Sequence, residues 1–182
     1  MTLVSKLVGD YAPDFELPGI DGKVYHLGRY QENFKAIAVV FIGDRSPQVT
    51  NYLNRLKEIQ SQFAEQKFTI VAINSHNSEN SLAQSVTEMK AFAAANELNF
   101  PYLRDFTQEV AKAFGAKVMP EVFLLDSQAV ILYAGQIDDN ADSAEKVQNH
   151  YLKDSIANLL SGQKVAIAQT QPVGTPIAWH KK

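Results

Sequence analysis

The stretch AIAVVFIGDRSPQV, Ala36–Val49, decides the fold. From Ile37 to Ile42 there is no polar alternation and β-branched residues dominate, which suits a central strand covered on both faces. The apolar run stops at Gly43. Ser46 followed by Pro47 is a helix-start signal: the hydroxyl can accept an orphan amide, and proline's missing donor costs nothing in the first turn. A strand, a tight turn and a helix N-terminus are therefore expected in succession. Such a junction gathers backbone amides and the positive end of a helix dipole at one spot, where function is to be expected.

Working outward, Val49, Leu53, Leu56, Ile59 and Phe63 recur at helical spacing, with Arg55, Lys57, Glu58 and Glu65 on other faces. This predicts a long amphipathic helix from Pro47 to about Gln66. Phe68–Ile73 reads as a second buried strand, and strand–helix–strand makes a parallel βαβ unit. Upstream, two β-prone runs flank Gly19-Ile20-Asp21-Gly22 and predict an N-terminal hairpin. Gly28–Lys35 reads as a loop or short turn. Downstream, Val86, Met89, Phe92 and Ala93 mark a second helix, and Val110, Ala111 and Phe114 a third that ends at Gly115. Pro120 leads a strand, VFLLD, that turns at Ser127-Gln128 into a second, AVILYAGQI. A final helix is expected over Ala144–Leu160, with Val147, Tyr151, Ile156, Leu159 and Leu160 inward. Beyond Gly162 an irregular tail carries Val165, Ile167, Ile177 and Trp179, which predict packing on the body.

Composition removes several function classes. With 182 residues, 46% hydrophobic and 20% charged, the chain suits one domain over residues 1–182 that buries roughly 70% of its unfolded surface. Within it, residues 1–35 form a hairpin extension and 162–182 the tail. The formal charge of −3 lacks blocks of one sign and offers no footprint for nucleic acid or an anionic membrane. No segment approaches the ~20 apolar residues that span a bilayer, and the N-terminus lacks a signal-peptide pattern, so a cytoplasmic location is expected. There is no cysteine, hence no disulfide, thiolate ligand or thiol catalysis. His26, His76, His150 and His180 stand apart, and Asp138-Asp139-Asn140 lacks the remaining ligands of a calcium loop. No metal and no cofactor is expected.

The order of elements, together with VGDYAPDFELPGIDGKVYHL, VVFIGDRSPQV, VAINS, FPYLRDFTQEVAKAFGA, MPEVFLLD, GQIDDN and PVGTPIAW, resembles the redoxins, the thioredoxin-fold group of peroxiredoxin-like and alkyl-hydroperoxide-reductase-like proteins. The resemblance implies an α/β thioredoxin-like fold, a mixed central sheet flanked by helices. It also implies a cis peptide before Pro120. Aligned on Phe41 and Pro47, the two active-site cysteines of the resembled subgroup fall on Gly43 and Ser46, and a tail cysteine falls on Thr175. All three thiols are missing. Ser46 inherits its position without the chemistry, since an alcohol starts several units less acidic than a thiol and a helix dipole supplies only about one.

Ser46 reads as a helix cap; a serine nucleophile would need a base in reach, with His76 the nearest candidate by topology. Asp44 and Arg45 read either as a solvated turn pair or as a contact site. Two function classes follow. The first is a non-catalytic binding or scaffold protein that meets a protein or peptide through Asp44, Arg45, Pro47, Met119 and Pro120. The second is a peroxiredoxin-like antioxidant or oxidoreductase acting without thiols of its own.

Overall fold

The strand begun at Ala36 keeps all six of its residues buried, and the rest of the chain assembles around it. The computed structural model describes residues 7–181; the reading of Met1–Lys6 as free of a leader lies outside them. A hairpin, β1 (Glu16–Pro18) with β2 (Val24–His26), opens the fold and is followed by a short helix, α1 (Leu27–Tyr30), and a 3₁₀ turn where only a loop or turn was expected. Then come β3 (Ala36–Phe41), α2 (Pro47–Phe63), β4 (Phe68–Asn74) and α3 (Leu82–Ala95). The second half contains β5 (Tyr102–Arg104), α4 (Glu109–Phe114), β6 (Val118–Met119), β7 (Glu121–Asp126), β8 (Ile131–Gly135), α5 (Tyr151–Leu160) and β9 (Thr175–Pro176).

Five strands form a mixed sheet in the order β5-β4-β3-β7-β8. β3, β4 and β5 run parallel, while β7 is antiparallel to both β3 and β8. This is the thioredoxin-like α/β architecture implied by the resemblance, and the Met119–Pro120 peptide is cis. Burial of β3 and β4 on both faces explains why their largely apolar runs show no polar alternation. Phe41, Phe114 and Phe123 pack ring against ring at centroid distances of 5.1–5.8 Å beneath the sheet's functional edge. The register sets Phe41 against Ile73 and Glu121, and Asn74 against Arg104. The loops after β3, β4 and β5 thus share one edge with the start of β7.

The structure adds one strand and corrects two expectations. Tyr102–Arg104 is a strand, three residues long and too short to show a period; it is held by β4 and by the hairpin, whose Ile20 amide donates to the Tyr102 carbonyl at 3.0 Å. The last helix begins at Tyr151, not Ala144. The Asp139 carboxylate accepts from the amides of Gln148 and Asn149, both at 3.0 Å, and so withholds them from a helical ladder. The tail contains a strand, and its Ile167 and Trp179 are exposed while Ile177 is buried.

Arg55, off the apolar face of α2, is held by partners and largely shielded from solvent. Its Nη1 lies 2.8 Å from Asp138 Oδ2 and also donates to the Asn140 carbonyl; its Nη2 donates to Ala141, and the guanidinium covers the Tyr52 ring. The same carboxylate accepts from the Tyr52 hydroxyl at 2.9 Å. Removing one partner of a buried pair leaves the other charge stranded, so Asp138→Ala should lower the unfolding free energy by about 3 kcal/mol. Urea denaturation measures this, and a loss under about 1 kcal/mol would mean that the pair is solvated.

Candidate functional site

The turn after β3 is built as its residues dictate. Ile42 and Gly43 remain buried, and Ser46 takes an extended N-cap conformation with Pro47 opening α2. The Val49 amide donates to Ser46 Oγ at 3.3 Å, the capping bond expected of it. The same oxygen lies 2.6 Å from Thr175 Oγ1, which donates to Gln48 Oε1 at 2.6 Å. Each hydroxyl has one proton, so the order of donors is fixed: Val49 N–H to Ser46, Ser46 O–H to Thr175, Thr175 O–H to Gln48. Ser46 and Thr175, 129 positions apart, are neighbours.

Gly43 has no room for a side chain as the site stands. A Cβ there would fall 2.9 Å from Met119 Sδ, and Met119 is only 2% exposed. The methionine before the cis-proline therefore fills the space above the glycine. β9 lies antiparallel along β6, with Met119 opposite Thr175. Gly174 permits this approach, because a Cβ there would stand 2.3 Å from the Met119 carbonyl oxygen. Beyond it, the Ile177 amide donates to Lys117 and the Ala178 amide to His76 Nδ1, while the Ala178 carbonyl accepts from the Asn77 amide and from Gln108 Nε2. Met119 and Pro120 are accordingly buried, whereas Arg45 and Pro47 are exposed.

Beside this strap lies a polar cavity of about 300 Å³, bordered by Asp44, Asn74, His76, Glu88 and Arg104 among others. Asp44 is half-buried and accepts from the Tyr102 hydroxyl. Burial raises its pKa above the usual carboxylate value and Glu88 adds to this, while the Tyr102 bond and the two arginines oppose it. Asn74 Nδ2 also donates to the Tyr102 hydroxyl, at 3.1 Å, and Asn74 accepts from Arg104 Nη1 through both its oxygens. Arg45 is a solvated rim residue, 3.7 Å from Glu88 and with its side chain 83% exposed, which makes that pair worth little. Asp44 and Arg45 are thus not alike: one faces the cavity and the other faces water.

His76 makes no hydrogen bond to Ser46 among the described residues; its Nδ1 is occupied by the Ala178 amide and the Ser46 proton by Thr175. The serine–histidine arrangement is not assembled. Among the described residues no group of three or more His, Asp or Glu is placed to hold a metal ion. The sequence reading missed Tyr102, Asn74, Arg104 and Glu88. One signal was present, an arginine directly following apolar residues in FPYLRD, but without the strand assignment it had no place in the sheet.

The AhpC/TSA family model matches residues 8–134, more than half of the chain. The chain belongs to the AhpC/TSA family. The crystal structure of a hypothetical protein from Sinorhizobium meliloti 1021 is similar at 31% identity, with a TM-score of 0.88 over 98% of both chains. The thiol-disulfide oxidoreductase ResA of Geobacillus thermodenitrificans is 25% identical over 124 residues, spanning 68% of this chain and 66% of that relative, just under two thirds of its length. Peroxidoxin BcpB from Mycobacterium tuberculosis shares the fold, at 24% identity and a TM-score of 0.61 over 74% of this chain and 88% of that one.

The His76 contact makes the docking of the tail depend on pH. Burial lowers its pKa and Arg104 adds to this, with Asp44 opposing. A base whose folded midpoint lies below its unfolded one contributes stability that is complete above about pH 6.5 and is lost as pH falls through the folded midpoint. Protonated Nδ1 cannot accept from Ala178. The Ala178 amide should therefore lose exchange protection as pH falls through the His76 midpoint, read by NMR and lying below 6.5. Unchanged protection at pH 4.5 in the folded protein would contradict this role.

Proposed function

We propose that this AhpC/TSA protein is a non-catalytic member of its family, a binding or scaffold protein in which Gly43, Ser46 and Thr175 occupy former thiol positions. The observation that carries this reading is the pairing of Ser46 with Thr175 at 2.6 Å in a chain without cysteine. Two residues that the resemblance marks as thiols meet across 129 positions as hydroxyls. An oxygen pair of this kind holds the tail but accepts no electrons, and no thiolate is available to attack a peroxide or a disulfide.

A protein or peptide partner would meet the exposed rim formed by Arg45 and Pro47, with Asp44 behind it at the cavity mouth. Met119 and Pro120 would shape that rim from beneath the tail. The competing reading, an antioxidant or oxidoreductase that works without its own thiols, draws support from the name of the ResA relative. Turnover separates the two. Mass-verified protein should reduce insulin disulfides and consume hydrogen peroxide no faster than a heat-denatured sample, with or without dithiothreitol. Catalysis above that background, proportional to protein concentration, would refute the non-catalytic reading.

A further inference from the structure

The polar cavity beside the turn has hydrogen-bond acceptors to spare. Asp44 Oδ1 takes the Tyr102 hydroxyl and lies 3.5 Å from Asn74 Nδ2, while Oδ2 has no partner among the described residues. Ser85, in the first turns of α3, is only 4% exposed. Its amide donates to the Ser81 carbonyl at 2.9 Å, but its hydroxyl has no partner among the described residues. Four side-chain atoms, on His26, Arg104 and Asp105, are both unpartnered and sealed from water. Neither Asp44 Oδ2 nor Ser85 Oγ is one of them, and both residues border the cavity. The two open oxygens therefore face it.

Glu88 follows Ser85 by three positions, on the same face of the helix, and borders the cavity too. Its Oε1 accepts from Asn80 Nδ2 at 2.6 Å, whereas Oε2 has only the exposed Arg45, 3.7 Å away. Glu79 adds a third carboxyl group. Against these stand Arg45 at the rim and Arg104, whose charge Asp105 and Asp44 already answer. Negative charge is in surplus here. Burial raises the Asp44 pKa and the charge of Glu88 adds to this, so the two carboxyl groups act on each other with no cation between them.

The lining selects among ligands. Every side chain that borders the cavity is polar, which disfavours an apolar molecule, and an anion would meet three carboxylates. No three His, Asp or Glu residues converge on one point among the described residues, so a metal ion is not matched. A primary ammonium carries one compact charge and three N–H donors with no acceptor. We propose that this cavity binds a primary ammonium group, which donates to Asp44 Oδ2 and Ser85 Oγ while Glu88 supplies a second negative charge. The volume of about 300 Å³ lies at the small end of ligand sites and admits an amine on a short chain. The ammonium can come from a free amine or from a lysine side chain. This site goes beyond the non-catalytic reading and does not rest on it: a thiol-independent enzyme could carry the same site.

The test is an NMR titration of the full chain at neutral pH, following the Ser85 amide and the Asp44 carboxyl carbon. Tetramethylammonium chloride holds the ionic strength constant, so that positive charge without N–H donors is present throughout. Methylammonium, butylammonium and Nα-acetyl-lysine amide should each shift both signals saturably, and magnesium should bind more weakly than methylammonium. Acetyl-lysine amide binding at least as tightly as butylammonium assigns a lysine side chain; weaker binding assigns a free amine. Ser85→Ala, which suits a helix, should weaken methylammonium binding about fivefold, and Asp44→Asn, which can still accept from Tyr102, about tenfold or more. If Asp44→Asn does not fold, Ser85→Ala and the wild-type titration decide. No saturable shift with any of the three amines, affinity unchanged in Ser85→Ala, or tighter binding of magnesium would overturn the proposal.

Discussion

One oxygen atom, Ser46 Oγ, joins the start of α2 to a tail strand 129 positions away. It caps the helix by accepting from Val49 and fastens the tail by donating to Thr175. Neither bond is strong by itself, since a neutral hydrogen bond contributes roughly 1 kcal/mol net. Their value is positional. With Ser46 held, the tail crosses Met119 in register, Gly174 touches the Met119 backbone, and Ile177 reaches its buried site. The methionine in turn fills the space that Gly43 leaves. The long, adaptable side chain of methionine suits that role. The site remains closed and well packed although it has no thiol.

A second constraint acts on the other side of the turn. Register places Asn74 beside Arg104 and aligns Tyr102 with Ala72, so that one face of β5 presents a phenol and a guanidinium to the loop after β3. Asn74 binds both, and Asp44 closes the group through Tyr102. The two halves of the sheet edge therefore differ in character. Hydroxyls and the backbone of the tail close one half, while an open polar cavity bordered by Asp44, Asn74, Glu88 and Arg104 forms the other.

Much of this architecture was legible in the sequence, for physical reasons that can be named. β3 and β4 announced themselves because burial on both faces leaves no polar alternation in the run, and α2 because its inner face repeats without a break over four turns. Ser46 and Pro47 marked the helix start through local chemistry alone. The elements missed were those whose cause is distant. β5 and β9 have three and two residues, and each exists only because a partner strand is there to bind it. The late start of α5 reflects two amides captured by Asp139, a competition invisible to periodicity. The polar cavity was harder still. Its residues come from the loops after β3 and β4, the end of β4, α3 and the short β5, and no spacing links Asp44 to Tyr102 or Asn74 to Arg104.

The claim at the centre of this account is that Ser46 and Thr175 stand where two thiols would meet. It can be tested in a protein that has no other sulfur able to form a bridge. Ser46→Cys with Thr175→Cys, treated with mild oxidant and digested, should yield a 46–175 cross-link; the folded sample should lose both free thiols, and its melting temperature should exceed that of the reduced form. The 2.6 Å separation of the two oxygens is near enough to the S–S length of about 2.05 Å for small side-chain adjustment to close the bond. Two free thiols persisting in the folded variant, under oxidant that closes a thioredoxin dithiol, would show that the tail does not lie on the turn and would contradict the account.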